Sequence, residues 1–171
     1  YIAAGVGGGI TGEGADLLII DDPVKSAEEA ESANRRDAIW QWYITVAMTR
    51  MQPGGAKILI MTRWHEDDLA GRLLKLASQS KDADQWGVVH LKAITDGKAL
   101  WTERYPLEVL ERIRAGQVDD PGQPGAGSRA FAALYQGEPT IAGGNIIKRD
   151  WWRFYSVAPV FSRIIQTWDT A

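Results

Sequence analysis

Leu17-Leu18-Ile19-Ile20-Asp21-Asp22-Pro23 is the stretch on which the reading of this chain turns. Four aliphatic residues run without a break into two adjacent carboxylates and a proline. Flanked by Gly12 and Gly14 on one side and Pro23 on the other, the run reads as a strand buried on both faces, as in a parallel sheet. Open α/β sheets collect ligands at the carboxyl ends of such strands. Asp21 and Asp22 would stand there, within reach of a magnesium-bound phosphate. A Walker B strand has this pattern: its first acid holds Mg2+ and its second positions or deprotonates the attacking water. An Asp-Pro turn closing an ordinary strand has it too, and the rest of the chain has to separate the two.

The 171 residues suffice for one good core, with room for the edge of a second. A composition 45% hydrophobic and 24% charged describes an ordinary globular chain and excludes a disordered one. No apolar stretch reaches the length of a membrane span, and no signal peptide is visible. The lack of cysteine rules out disulfides and thiolate metal sites, and suits an intracellular protein. A net charge of -3 excludes a basic nucleic-acid coat, but not a motor with local basic patches. The chain opens at Tyr1 inside one apolar segment and closes at Ala171 straight after another, so it is expected to be an internal piece of a longer protein.

Residues 1–6 read as a short strand, followed by a loop rich in glycine (Gly5, Gly7, Gly8, Gly9, Gly12 and Gly14). That loop is neither a P-loop nor a dinucleotide fingerprint, because no Gly-Lys-Ser/Thr closes it; it reads as a tight turn feeding the next strand. Ser26-Ala27-Glu28-Glu29 is a capping box that opens a helix running to about Met51, where Pro53-Gly54-Gly55 stops it. Ile39, Trp42, Tyr43 and Val46 recur at helical spacing and read as core. Arg35, Arg36 and Arg50 read mainly as solvated charge, with a phosphate-sensing role as the sharper alternative.

Residues 56–61 form a second apolar run, which ends in Thr62-Arg63-Trp64-His65. A helix then begins with Glu66-Asp67-Asp68, acids suited to a positive helix N-terminus, and buries Leu69, Leu73 and Leu76. Strand, helix, strand, helix predicts a parallel sheet with right-handed crossovers. Thr62 and Arg63 then lie at the same edge as Asp21 and Asp22, where ATPases sense a γ-phosphate. A third strand is predicted over residues 86–92, with His90 a packed or edge histidine; His65 and His90 have no metal-ligand spacing.

From Thr95 the texture changes. Asp96-Gly97 marks a turn, Pro106 opens a helix lined by Leu107, Leu110 and Ile113, and residues 116–128 form a loop. Residues 129–136 form a short helix with Phe131, Leu134 and Tyr135, and Gly143-Gly144 marks a linker. The cations and aromatics of residues 148–155 suit either nucleic-acid stacking or packing between domains. Ile164-Ile165-Gln166-Thr167-Trp168-Asp169 again closes an apolar run on an acid.

Taken in order, these segments resemble the large terminase subunit of tailed double-stranded DNA phages and prophages. The Walker B region resembles Thr11-Gly12-Glu13-Gly14-Ala15-Asp16-Leu17-Leu18-Ile19-Ile20-Asp21-Asp22-Pro23, and the coupling motif resembles Met61-Thr62-Arg63-Trp64-His65-Glu66-Asp67-Asp68. Ala99-Leu100-Trp101-Thr102-Glu103-Arg104-Tyr105-Pro106 and Ala130-Phe131-Ala132-Ala133-Leu134-Tyr135-Gln136-Gly137-Glu138-Pro139 are similar to segments ahead of the nuclease. Gln166-Thr167-Trp168-Asp169-Thr170-Ala171 is similar to the first strand of the RNase H-like nuclease.

The resemblance implies an α/β fold: the C-terminal part of a P-loop (ASCE-type) ATPase sheet over residues 1–95, a helical subdomain and linker over 96–160, and the start of an RNase H-like nuclease over 161–171. It implies that Asp21 holds the Mg2+ of ATP. Asp22 stands where many relatives have Glu and would orient or activate water, with a reach one methylene shorter. Thr62 and Arg63 would report loss of the γ-phosphate, and Asp169 would be the first of several carboxylates holding two Mg2+ or Mn2+ ions for DNA cutting. Double-stranded DNA, the portal protein, the small terminase subunit and a homo-oligomeric ring are the implied partners, with no membrane. The implied location is the host cytoplasm, transiently at the procapsid portal. The Walker A lysine would precede Tyr1 and the remaining nuclease acids would follow Ala171, so the chain by itself is expected to be inactive.

Two other readings stand beside this one. A helicase-like ATPase shares the acidic strand end but has no need of the Asp169 element. A non-enzymatic prophage remnant would keep the sheet without the chemistry. A phosphate-binding loop upstream and further strand-borne acids downstream separate the terminase from both.

Overall fold

In the computed structural model, residues 2–8, 12, 14–116, 122 and 124–139 are described. They lie within the first of the two units into which the chain divides, Tyr1–Ile141. Its centre is a mixed α/β arrangement around two parallel strands, β1 (Ala15–Asp21) and β2 (Met51–Ile60). Their register runs from Leu17 opposite Ala56 to Asp21 opposite Ile60. β2 starts earlier than expected, so Pro53-Gly54-Gly55 lies inside the strand. The pairing steps from Ala15–Met51 to Leu17–Ala56, leaving Asp16 opposite residues 52–55 in a wide bulge. Gly54 takes a φ of +81° there, and a Cβ on Gly55 would come within 3.0 Å of the Asp16 carbonyl oxygen. The described residues 2–8 form no strand; a turn in which Gly8 N–H donates to the Gly5 carbonyl at 2.8 Å replaces it. Three glycines in that stretch offer no side chains for a neighbour to pack against.

The crossover between the strands is broken where one helix was expected. Ser26 caps α1 (Ala27–Glu31), accepting from Glu29 N–H at 3.2 Å, while the Glu29 carboxylate turns back onto Lys25 N–H at 2.7 Å. Ser32 then ends α1 and caps α2 (Ala33–Trp42), its Oγ accepting from Arg35 N–H at 3.4 Å. A serine that bonds backbone amides offers the chain an alternative to continuous helix. After α2 the coil widens into a π-turn, Tyr43–Ala47, and tightens into a 3-10 turn, Met48–Arg50. Thr45 Oγ donates to the Gln41 carbonyl at 2.6 Å in this stretch, a contact that bends helices.

Ile20, Val24, Ala30, Ile39, Tyr43, Ala47, Leu69 and Leu73 make one buried core, with Leu18 and Leu59 of the sheet packed against it. The helices that contribute to this core therefore cover one face of the sheet. Ile20 is 6% exposed, whereas Leu17 and Ile19 on the opposite face are 53% and 50% exposed, as are Ile58 and Ile60 of β2 to similar degrees. Burial of the opening strand on both faces is thus corrected to burial on one. An apolar run is compatible with two covered faces, but nothing in the described residues lies on the second.

After β2, α3 (Leu69–Gln79) buries Leu69 and Leu73 and leaves Leu76 exposed. The strand expected over residues 86–92 does not form; Val88, Val89 and Leu91 stand exposed because no strand among the described residues lies alongside them. The segment is tied instead to residues 135–138. His90 Nε2 meets the Gln136 carbonyl at 2.6 Å, Ala93 N–H donates to Tyr135 O at 2.8 Å, and the Gln136 side chain brackets both backbone groups of Ile94. Asp96 and Gly97, both at positive φ, form the turn of a small hairpin between β3 (Ile94–Thr95) and β4 (Lys98–Ala99). Pro106 is the N-cap of α4 (Leu107–Ala115), which packs against α5 (Gly127–Leu134) with Leu110 and Phe131 buried. Phe131 also stacks on Tyr135 at 4.9 Å. No helix among the described residues is long and apolar enough to cross a membrane. Gly143-Gly144, the mixed segment 148–155 and the expected nuclease strand with Asp169 lie outside the described residues, as do residues 117–121 and 123 of the expected loop 116–128.

Candidate functional site

Parallel pairing brings the carboxyl ends of β1 and β2 side by side, and both ends carry polar residues. Asp22 N–H donates to the Ile60 carbonyl at 2.9 Å, extending the ladder one step beyond β1. The Asp22 carboxylate then accepts from Thr62 N–H at 2.9 Å. Asp22 lies at φ +39°, in the left-handed region that is uncommon outside glycine and that collects at functional sites. Alternation along β1 puts Asp21 on the open face with Leu17 and Ile19, exposed and without a protein partner among the described residues. The structure therefore brings Asp21, Asp22 and Thr62 to one edge, while Asp169 lies outside the described residues.

Arg63 turns away from that pair. Its Nε donates to Asp68 Oδ2 at 2.8 Å, and Asp68, 1% exposed, is the N-cap of α3, accepting from Gly71 N–H at 2.8 Å. Burial pushes the Asp68 carboxyl above its usual range, against the opposing pull of Arg63 and the Gly71 N–H. Gly71 is required here. A Cβ on it would collide with the Glu66 carbonyl oxygen and come within 3.2 Å of Arg63 Nη2.

Asp67 is the centre of a second network. Arg72 reaches both of its oxygens, at 2.9 and 2.6 Å, and Arg36 Nε reaches Oδ2 at 3.3 Å. Arg72 also bonds Asp37 at 2.7 Å, and Arg36 Nη1 bonds the Ala30 carbonyl at 2.6 Å. Hydrogen bonding to Arg72 holds the Asp67 carboxyl below its usual range. Arg36 is thus a cross-link between the end of α1, α2 and the start of α3, not a solvated charge. Arg35 remains exposed, and Arg50 bonds Thr49 Oγ at 3.1 Å. The acids of residues 66–68 were legible as helix-start residues. The partnership of Asp67 with Arg36 was not, because the two are 31 residues apart in sequence.

Thr62 and Arg63 also line one end of a groove of about 680 Å3. One wall is the free edge of β2, from Lys57 to Met61, and the other is the unpaired segment from Trp86 to Leu91. No group of three or more His, Asp or Glu residues that could hold a metal ion occurs among the described residues. The hard oxygen donors of Asp21 and Asp22 nevertheless suit Mg2+, which is commonly bound by one or two carboxylates together with substrate phosphates.

Comparisons with known proteins give one strong and one weak similarity. An 84-residue stretch is 29% identical to the dihydroxy-acid dehydratase of Ignicoccus hospitalis, covering 48% of this chain. The chain spans 15% of the length of that relative, and the likeness carries no site onto it. No solved structure matches the chain. Residues 2–154 match the family described as terminase large subunit, T4likevirus-type, N-terminal, a span that includes β1, the strand-end pair and both ion networks. The chain belongs to that family of terminase large subunits.

Proposed function

We propose that this chain carries the acidic edge and the coupling loop of an ATP-driven motor that moves double-stranded DNA into a procapsid. The observation that carries the reading is the Asp22–Thr62 bond between adjacent parallel strand ends, in a chain whose residues 2–154 match the terminase family. Mg2+, when bound with ATP, supplies charge neutralisation at the β- and γ-phosphates. Asp21, exposed and unpartnered, is the side chain that would hold it. Asp22 has one oxygen fixed by Thr62 N–H and a second left for the attacking water. Its left-handed backbone and that bond fix a side chain one methylene shorter than Glu, so orientation replaces reach. Thr62 follows Asp22 through the same bond and reports changes at the γ-phosphate.

The groove beside β2 supports a sheet that continues past this edge. An extended segment laid between β2 and residues 86–91 would satisfy both unpaired backbones. We assign that position to the strand leading into the phosphate-binding loop. The remaining parts of the reading are nuclease chemistry through Asp169 with two divalent metals, a ring assembled on the portal, and the small subunit as partner. What supports them is family membership together with the acid-terminated run at residues 164–169.

The test is ATP hydrolysis by the intact large subunit with Asp22→Asn. The rate should fall by about 100-fold or more while nucleotide binding is retained, because a positioned base contributes on this scale. An unchanged rate would remove Asp22 from the chemistry.

A further inference from the structure

We infer that Asp68 is a positioning residue for the strand-end loop: its buried carboxylate fastens Arg63, and with it the Thr62 amide, to the N-terminus of α3. The inference rests on the proposed ATPase reading and extends it to the path by which a change at Asp22 leaves the site.

Three observations carry it. Asp68 is fully buried, and both of its oxygens are engaged, Oδ1 by Gly71 N–H and Oδ2 by Arg63 Nε, each at 2.8 Å. Gly71 has no Cβ where one would strike the Glu66 carbonyl, so the loop of residues 63–68 folds back tightly over the first turn of α3. Thr62, next to Arg63, holds the Asp22 carboxylate through its amide. A buried carboxylate left without its cation is strongly disfavoured, so Arg63 stays with Asp68, and the loop moves only if the helix start moves. From there Asp67 passes the displacement on, through Arg36 and Arg72, to α2. Arg63 in this account transmits, and Thr62 senses.

Asp68→Asn separates this role from simple capping. Asn still accepts from Gly71 N–H, as a good N-cap does, but it withdraws the charge that holds Arg63. In the intact large subunit with DNA present, kcat for ATP hydrolysis should fall about 10- to 100-fold, the scale set by misplaced catalytic groups. KM should stay within about twofold. Arg63→Gln should cost a similar factor, and the double variant no more than either alone, because both break one link. Amide exchange read in the same protein should speed up at Thr62 while Gly71 stays protected.

A lowered melting temperature with kcat per folded molecule unchanged would make Asp68 a structural cap and overturn the inference. Additive losses in the double variant, or unchanged exchange at Thr62, would overturn it as well. A wild-type subunit that hydrolyses no ATP would instead overturn the functional reading. The exchange arm would then still decide whether Asp68 holds the loop.

Discussion

The Asp22 carboxylate accepts a hydrogen bond from the Thr62 backbone amide at 2.9 Å, linking the ends of two parallel strands that are 40 residues apart in sequence. Asp22 is exposed and at φ +39°, so the bond offsets a backbone conformation that a side chain disfavours. Asp22→Ala keeps the strained φ and loses the bond, and should destabilise the chain by about 1–2 kcal/mol. Asp22→Gly loses the bond but relieves the backbone, and should lie within about 1 kcal/mol of wild type. Urea midpoints of the two variants compare them directly.

Gly71 and Gly87 should respond oppositely to the same substitution. A Cβ on Gly71 meets backbone, so Gly71→Ala should cost more than about 2 kcal/mol, in the range of overpacking and strain. A Cβ on Gly87 meets nothing within 4 Å and its φ is not positive, so Gly87→Ala should be neutral or stabilise by up to about 1 kcal/mol. Thermal unfolding of both variants is sufficient.

Tyr43 is buried in the core with a hydroxyl that bonds nothing among the described residues. Burial, helped by the charge of Asp84, pushes its phenol up to about 12 from 10.0. The neutral form is favoured in the fold, so this contribution is intact below pH 10 and is lost as pH rises from 10 toward 12. Tyr43→Phe should stabilise the chain at neutral pH by about 1 kcal/mol, the cost of an unpaired buried hydroxyl. It should also weaken the alkaline loss of stability, as melting curves between pH 8 and 12 would register.

Val88 tests the groove. It is largely exposed, so Val88→Lys should change the stability of this chain by less than about 0.5 kcal/mol. In the intact subunit, where a further strand would cover it, the same change should cost about 2 kcal/mol or more. Equal effects in the two would argue against a strand in that position.

What the sequence made legible was local or strongly periodic. The aliphatic run into Asp21-Asp22, the Ser26 cap, the Asp96-Gly97 turn and the helices around Leu110 and Phe131 all rest on a few neighbouring residues. Strand–helix–strand order was enough to place Thr62 beside Asp22. Hidden features depended on distant partners. Leu17 and Ile19 read the same whether or not a layer covers them, and residues 86–92 have strand composition but no neighbour to bond. Ser32 and Glu29 both suit helix interiors and ends, so the break at Ser32 was not written in either. Asp68 and Gly71 were individually ordinary, and only the folded loop joins them to Arg63.

ATP hydrolysis and DNA cutting, assayed side by side on the intact large subunit, decide whether Asp21 and Asp169 serve separate chemistries. Asp21→Ala should abolish hydrolysis and packaging while cutting continues, and Asp169→Ala should abolish cutting while hydrolysis continues. Hydrolysis at the wild-type rate in Asp21→Ala, or loss of both activities from either substitution in a folded protein, would contradict the account.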